Sequence, residues 1–280
     1  MILLTGANGQ LGTEVRHLLD ERGVAYVGTD VTDMDITDAS NLKRVFDQVK
    51  PDVVFHMAAY TAVDKAEAEG RDLNYQINVE GTRNVAKACV AIDAELVFIS
   101  TDYVFDGTKK DGEYLTEDIP NPLSEYGRTK RLAEEIIMSI CSKYYIVRTS
   151  WVFGNYGNNF VFTMQRLAQT RPRLTIVNDQ FGRPTWTRTL SEFMLHLYET
   201  KADYGIYHLS NDNSCTWYEF AEEILKEELV EVIPITSAEF PQKAKRPQYS
   251  VMNLKKAKAT GFTILTWQEA LSLMLAETKK

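Results

Sequence analysis

Short apolar runs alternate with stretches of helical periodicity through the first half of the chain. The apolar run Ile2–Thr5 is followed by leucine and valine residues at the spacing of one helix face, and residues 25–29 form the next apolar run. The alternation continues through predicted helices at residues 42–49, 78–89 and 126–141 and predicted strands at residues 53–56, 96–100 and 145–148. It is typical of an α/β fold, and we predict a doubly wound parallel sheet with helices on both faces.

The pattern loosens after residue 150, where aromatic and Gly/Asn-rich stretches separate shorter elements. Ligands of doubly wound sheets lie outside the carboxyl ends of the strands, so these stretches are expected to fold over that edge. We therefore predict a dinucleotide-binding domain at residues 1–150 and a smaller, mainly substrate-binding C-terminal lobe at residues 151–280. Some segments of the second lobe are expected to return to the first domain.

Charge and composition narrow the class of protein. The 280 residues include 31 lysines and arginines against 39 aspartates and glutamates, a net charge of −8, which tells against nucleic acid as a partner. The apolar run behind Met1 is too short for a signal peptide or a membrane span, and three widely spaced cysteines do not make a disulfide framework. A cytoplasmic enzyme without membrane association is expected. The four histidines lack zinc-motif spacing, so no metal is expected.

Glycines between the first strand and the first helix indicate a dinucleotide site of the Rossmann type. Their spacing leaves room for a pyrophosphate at the helix N-terminus. Asp30 ends the second strand, where a carboxylate accepts hydrogen bonds from the adenosine ribose, although a solvated aspartate in a turn has the same sequence pattern. The residues predicted to face the pyrophosphate are Gly6, Gly9, Gln10, Leu11 and Gly12.

Two further segments lie at the carboxyl ends of predicted strands. Asp35 and Ile36 follow the second strand and are expected to flank the adenine. Ala58, Ala59 and Tyr60 follow the third main strand, where small residues let the backbone approach a cofactor closely.

One tyrosine stands out as a candidate proton donor. Tyr126 is the only one of the 14 tyrosines with a lysine four residues later, Lys130, so the two side chains share a helix face. Thr101 ends the preceding strand. A hydroxyl, a phenol and an ammonium are therefore expected to surround one substrate oxygen.

The glycine motif, Asn78, Ser100, Thr101 and the Tyr126–Lys130 pair resemble those of the extended short-chain dehydrogenase/reductases. Within that superfamily the whole chain resembles the dTDP-4-dehydrorhamnose reductase family. The strings that carry this closer resemblance are AAYTAVD at residues 58–64, STDYVF at 100–105, RTSWVF at 148–153, NNF at 158–160 and Arg246-Pro247.

The resemblance implies reduction of the C4 ketone of dTDP-4-dehydro-L-rhamnose to dTDP-L-rhamnose with NADPH, and NADH is expected to be accepted as well. Tyr126 would donate the proton and Thr101 would bind the ketone oxygen. Lys130 would hold the nicotinamide ribose and lower the pKa of Tyr126. Asn78 would orient Lys130 through backbone or water, unless it only caps a helix.

A dTDP-sugar is the expected partner. Trp151 offers a flat face for a sugar or thymine ring, unless it is a core residue. Arg246 lies in a local basic segment that suits a diphosphate, unless that segment is a solvated run of charges. The other predicted substrate-binding residues are Thr61, Thr101, Asp102, Tyr103, Asn159, Phe160 and Gln180.

Two alternatives stay open. A nucleotide-sugar epimerase or dehydratase has the same fold. Asp102-Tyr103 follows Thr101 here, whereas the dehydratases resemble Thr-Asp-Glu at these positions, which tells against dehydration. A non-catalytic NADP-binding regulatory subunit is the second alternative, and the intact set Thr101, Tyr126 and Lys130 weighs against it. The chain is expected to be a monomer or a homodimer.

Overall fold

A computed structural model describes residues 1–109 and 111–278 of the chain, so the last two residues of the predicted second lobe lie outside it. Each strand and helix predicted for the first half has a counterpart. In chain order they are β1 (Ile2–Thr5), α1 (Gln10–Glu21), β2 (Tyr26–Thr29), α2 (Ala39–Val49), β3 (Val53–His56), α3 (Val63–Ala66), α4 (Arg71–Tyr75), α5 (Thr82–Ala91), β4 (Glu95–Thr101), α6 (Glu125–Ile140) and β5 (Tyr144–Thr149). A π-helix, Gln76–Gly81, joins α4 to α5, and a 3₁₀ turn, Asp102–Val104, follows β4.

The second half has shorter strands. They and their helices are β6 (Val152–Phe153), α7 (Phe160–Ala168), β7 (Arg173–Val177), β8 (Phe181–Gly182), β9 (Thr185–Trp186), α8 (Thr187–Thr200), β10 (Gly205–His208), β11 (Cys215–Thr216), α9 (Trp217–Ile224), β12 (Glu231–Ile235), α10 (Lys255–Ala259) and α11 (Trp267–Thr278). None of the described helices is both long enough and apolar enough to span a membrane.

All six strands of the main sheet run parallel, in the order β10-β5-β4-β3-β1-β2. The chain moves from β1 outward to β2, then crosses to the other side of β1 and continues through β3, β4 and β5. The strand order reverses between β1 and β3, which is where doubly wound sheets bind ligands. The predicted doubly wound α/β fold is confirmed. Strand β10 lies beyond residue 150 and pairs with β5. The division into domains at residue 150 stays a prediction.

Successive strand residues pack on opposite faces of the sheet. Leu4 of β1 and Phe55 of β3 belong to the core that α1 and α8 cover. Leu3 and Val54, one residue earlier in each strand, belong to the core that α2, α5 and α6 cover. Because the strands are parallel, their carboxyl ends share one edge of the sheet. Since helices cover both faces, the candidate site lies at that edge.

A separate apolar core packs elements of the second half of the chain together. Phe153, Met164, Phe220 and Trp267 bring β6, α7, α9 and α11 into one apolar cluster. The three cysteines are buried and free, as their spacing predicts.

Candidate active site

The turn between β1 and α1 is packed too closely for side chains. Gly6 has a positive φ of 68°, and a Cβ there would lie 2.8 Å from the Ala58 backbone. A Cβ on Gly12 would lie 2.1 Å from the Gly6 carbonyl oxygen. Helix α1 begins at Gln10, and its N-cap Gly9 provides no side-chain cap. The first-turn N–H groups therefore point to an anion as their partner, which fits the predicted pyrophosphate site.

A cavity of about 480 Å³, here called the turn cavity, opens beside this turn. The Asp30 carboxylate lies in its wall and accepts hydrogen bonds from the backbone N–H groups of Asn8 at 3.0 Å and Val31 at 2.8 Å. None of the described lining residues is a lysine or an arginine, so its fixed charges are carboxylates. The sequence-predicted residues that line it are Gly6, Gly9, Asp30, Asp35, Ile36, Ala58 and Ala59.

Asp35 has a structural role in addition to its place in this wall. One of its carboxylate oxygens accepts hydrogen bonds from the backbone N–H and the hydroxyl of Thr37, at 2.8 and 2.7 Å. These bonds hold the loop that presents Ile36 to the cavity.

Tyr60 lines neither the turn cavity nor the site around Tyr126, unlike its neighbours Ala58 and Ala59. The Asn78 side chain binds both backbone polar groups of Tyr60. The Tyr60 N–H donates to Asn78 Oδ1 at 2.8 Å, and Asn78 Nδ2 donates to the Tyr60 carbonyl at 3.1 Å. The Tyr60 hydroxyl packs against Gly70, where a Cβ would lie only 2.0 Å away. Tyr60 therefore helps to hold the loop after β3, and its contact with the cofactor stays a prediction.

Asn78 is not a helix cap, because it lies inside the π-helix. The expectation that it orients Lys130 through backbone or water stays a prediction. Its Nδ2 also donates to Asn74 at 2.8 Å and to Thr129 at 3.3 Å, and no hydrogen bond among the described residues joins it directly to Lys130. Sequence reasoning missed Asn74, which has no motif of its own.

A second cavity, of about 560 Å³ and here called the central cavity, adjoins the glycine turn. Thr101 reaches it from the end of β4, and Tyr126 and Lys130 reach it from the start of α6. Ser124 caps α6 by accepting a hydrogen bond from Gly127 N–H at 3.1 Å. The sequence-predicted residues that line this cavity are Gly6, Gly9, Gln10, Leu11, Gly12, Ala59, Thr61, Thr101, Asp102, Tyr103, Tyr126, Lys130, Trp151 and Phe160.

The Thr101 hydroxyl is held in place by its neighbours. It accepts a hydrogen bond from Tyr103 N–H at 3.2 Å and donates one to Asp102 Oδ1 at 3.1 Å. Lys130 Nζ lies 4.0 Å from the centre of the Phe98 ring, a cation–π distance. Thr101 and Lys130 are buried and Tyr126 is half-buried, so the protein surroundings affect the charge states of Lys130 and Tyr126.

Burial shifts the pKa of each ionisable group at this end of the cavity. It lowers the pKa of Lys130 to about 7, while the Glu134 carboxylate acts in the opposite direction. It raises the pKa of Asp102 to about 6. Burial also raises the pKa of Tyr126 well above its usual value, the Asp102 charge raises it further, and a hydrogen bond with Thr101 lowers it in part.

In the chain by itself, burial and the Asp102 carboxylate raise the pKa of Tyr126. The expected lowering of this pKa by Lys130 and the oxidised nicotinamide stays a prediction. A phenol with a raised pKa stays protonated at neutral pH. That is the state from which a proton can be donated.

Tyr103 connects this cavity to the last third of the chain. Its ring meets the Tyr126 ring edge-on, with centroids 5.9 Å apart. Burial raises the pKa of Tyr103 to about 12, and a hydrogen bond with Arg246 acts in the opposite direction. Arg246 also donates a hydrogen bond to Asp64 at 2.9 Å and contacts Gln242. Arg246 is thus paired, and the alternative of a solvated run of charges is wrong for this residue.

Trp151 and Trp217 stack with ring centroids 3.8 Å apart, and both line the central cavity. Trp151 has a positive φ of 47°, an uncommon conformation for a large residue. Sequence reasoning missed Trp217, although Thr216 and Glu219 form a capping box that places it in the first turn of α9.

A third cavity, of about 480 Å³ and here called the lobe cavity, lies on the other side of Phe160 and Trp217. Gln180 and Arg246 line it, together with apolar residues of α7 and β7. It therefore shares the Phe160 and Trp217 side chains with the central cavity.

Asn159 does not line any of these cavities. Its Oδ1 accepts a hydrogen bond from Phe162 N–H at 3.2 Å and its Nδ2 donates to the Gly154 carbonyl at 2.8 Å, so it caps α7. Asn158 lines the central cavity instead. The sequence placed the right segment at the site but could not tell which of two adjacent amides turns inward.

Comparisons with known proteins agree with this geometry. Residues 1–280 match the RmlD substrate binding domain family. The chain is 40% identical to the spore coat polysaccharide biosynthesis protein SpsK of Bacillus subtilis, over 99% of the chain and 97% of that protein. It is 39% identical to dTDP-4-dehydrorhamnose reductase of Aggregatibacter actinomycetemcomitans, over 96% of each.

A solved structure is similar over nearly the whole fold. The crystal structure of dTDP-4-dehydrorhamnose reductase from Bacillus anthracis in complex with NADP superposes with a TM-score of 0.95 and 41% identity, over 99% of both chains. The chain therefore belongs to the RmlD substrate binding domain family, as its resemblance to the dTDP-4-dehydrorhamnose reductases predicts.

Proposed function

We propose that this chain reduces the C4 ketone of dTDP-4-dehydro-L-rhamnose to dTDP-L-rhamnose, with a hydride that NADPH supplies when bound and a proton from Tyr126. The observation that carries the proposal is the central cavity, which Thr101, Tyr126 and Lys130 line together with residues of the glycine turn. The family of the chain supports the same reaction.

The cofactor would lie along the turn cavity and enter the central cavity. The close-packed Gly6 and Gly12 and the uncapped start of α1 fit a pyrophosphate. Asp30 would accept hydrogen bonds from the adenosine ribose, and Ala58 and Ala59 would border the cofactor. We expect NADH to be accepted as well, since the turn cavity has carboxylates and no cation among its described lining residues.

The proton step follows from the charges around the phenol. Burial and Asp102 keep Tyr126 protonated at neutral pH, so its proton is available for the sugar oxygen. Thr101 would donate a hydrogen bond to that oxygen and stabilise negative charge as it develops. Lys130, as an ammonium, would bind the nicotinamide ribose and stabilise the phenolate that Tyr126 leaves behind.

The nucleotide half of the substrate would lie beyond the aromatic pair. Trp151 would pack on the sugar, and Phe160 and Trp217 lie where the central and lobe cavities meet. Gln180 and Arg246 would contact the thymidine diphosphate, because Arg246 is a cation beside a cavity of suitable size. Thr61, Asp102 and Tyr103 would complete the sugar-binding wall.

The assay that tests the proposal measures cofactor oxidation with dTDP-4-dehydro-L-rhamnose beside UDP-glucose and dTDP-glucose. Rapid oxidation with the keto sugar alone is expected. Product analysis that shows conversion of one of the other sugars without net cofactor oxidation would favour an epimerase or a dehydratase, because both return the hydride to the sugar. Tight NADP(H) binding without turnover, together with stoichiometric copurification of another enzyme, would favour the regulatory subunit. The cytoplasmic location and the monomeric or homodimeric state stay predictions.

A further inference from the structure

Glu134 is a buried carboxylate that the proposed reaction does not use. It lies on α6, one helical turn after Lys130, and its side chain is fully buried. Its Oε1 accepts hydrogen bonds from Ser100 Oγ at 2.6 Å and from Arg148 Nε at 2.8 Å. Its Oε2 accepts one from Arg148 Nη2 at 2.8 Å. Both oxygens of this buried carboxylate therefore have charge-assisted hydrogen-bond donors.

These bonds join three elements of the site. Ser100 immediately precedes Thr101 at the end of β4, and Arg148 lies on the neighbouring strand β5. Glu134 itself is on the helix that carries Tyr126 and Lys130. One side chain therefore ties the strand of the ketone-binding hydroxyl to the helix of the phenol and the ammonium.

Few other charges act on Lys130. Burial lowers the pKa of Lys130, and Glu134 is the group that raises it. His56, at the end of β3, has its own pKa lowered to about 3 by burial and by Lys130, so it is neutral near pH 7. Asp102 and Tyr126 share the central cavity with Lys130. The Arg148 and Arg131 guanidinium groups contact Glu134, Arg131 Nη1 at 3.3 Å.

We propose that Glu134 is a positioning residue of this site: it places a buried carboxylate one helical turn from Lys130, which favours the ammonium form, and it ties β4 to α6. The role of Lys130 in turnover rests on the proposed function, whereas the effect of Glu134 on the Lys130 charge does not. Arg148 stabilises the buried Glu134 carboxylate, because a buried carboxylate without a partner would be strongly destabilising.

The matched test compares Glu134→Gln with Glu135→Gln. Glu135 is the next residue on α6, half exposed, and pairs with Arg131 Nε at 3.0 Å. The readout is an NMR titration of isotope-labelled lysine side chains, with Lys130→Met to assign the signal. Glu134→Gln should move the Lys130 midpoint to lower pH by about one unit, and Glu135→Gln should leave it in place. An unchanged midpoint in Glu134→Gln would overturn the proposal.

If Glu134→Gln does not fold because Arg148 loses its partner, the double variant Glu134→Gln/Arg148→Gln removes both charges. It should still move the Lys130 midpoint downward, and an unchanged midpoint in it contradicts the proposal equally.

Ser100→Ala separates the effect of the Ser100–Glu134 hydrogen bond, which ties β4 to α6, from the effect of the Glu134 charge on Lys130. It keeps the Glu134–Arg148 pair, so the Lys130 midpoint should not move, but kcat should fall about tenfold because Thr101 loses its support. An unchanged kcat would overturn the claim that the Ser100–Glu134 hydrogen bond supports Thr101. If the wild type reduces no dTDP-keto sugar while Glu134→Gln shifts Lys130, the proposed function fails and the effect on Lys130 stands.

Discussion

Arg246 donates a hydrogen bond to Asp64 at 2.9 Å, across 182 positions of sequence. The second Asp64 oxygen accepts hydrogen bonds from the backbone N–H groups of Lys243 and Ala244, at 3.2 and 3.0 Å. One carboxylate in the first turn of α3 thus holds the segment 243–246 beside Tyr103. The cation proposed for the diphosphate is therefore positioned before the substrate arrives.

Arg246→Met should raise the substrate KM by an amount equivalent to about 1.5–3 kcal/mol, because a charged hydrogen bond to the diphosphate is lost. Steady-state kinetics with the keto sugar measures it. Lys245→Met, in the same segment but exposed, is the control. Asp64→Ala releases the segment but keeps the cation, so it should have a smaller effect. Unchanged KM and kcat in folded Arg246→Met would remove this residue from the site.

Tyr126→Phe should lower kcat by roughly 10²–10⁴-fold, since it removes the general acid and little volume. Folding and NADPH binding should persist, which circular dichroism and cofactor fluorescence check. Tyr204→Phe, an exposed position, provides the control. Near wild-type reduction by Tyr126→Phe would make Asp102 or a water the better candidate for the proton source.

The wild type should use both NADPH and NADH, and Asp30→Ala should change the ratio of their kcat/KM values about tenfold in favour of NADPH. The Asp30 carboxylate repels a 2′-phosphate and accepts from ribose hydroxyls. Asp20→Ala, exposed at the far end of α1, should leave the ratio unchanged. Strict dependence on one cofactor in the wild type contradicts this expectation.

Acid should destabilise the fold through its buried histidines. Burial lowers the pKa of His56 and of His208 to about 3, so below pH 6.5 the unfolded chain binds protons that the folded chain does not. Each histidine should therefore reduce the free energy of unfolding by up to about 1.4 kcal/mol per pH unit between those values. Urea unfolding at several pH values measures the slope.

The matched variants for this effect are His208→Asn and His17→Asn. His208→Asn should reduce the slope of the unfolding free energy against pH by the contribution of one histidine. His17→Asn, which changes an exposed ring, should leave that slope unchanged. An equal slope in the wild type and His208→Asn would show that His208 does not contribute.

Alternation along the chain was enough to predict the sheet, its two covered faces and the edge at which Thr101, Tyr126 and Lys130 meet. The reason is geometric: carboxyl ends of parallel strands share an edge, and residues four apart share a helix face. The glycine spacing likewise located the turn at Gly6, because only glycine tolerates its close approach to Ala58.

Only the tertiary structure decided which side chains support that edge. Asn78 binds the Tyr60 peptide, Glu134 joins Ser100 to Arg148, and Arg246 pairs with Asp64. Periodicity indicates which face of a helix or strand a residue occupies, but it does not identify the residue of a distant segment that it contacts. The same limit applies to charge: burial sets the pKa of Tyr126 and Lys130, and burial is a property of the packed chain.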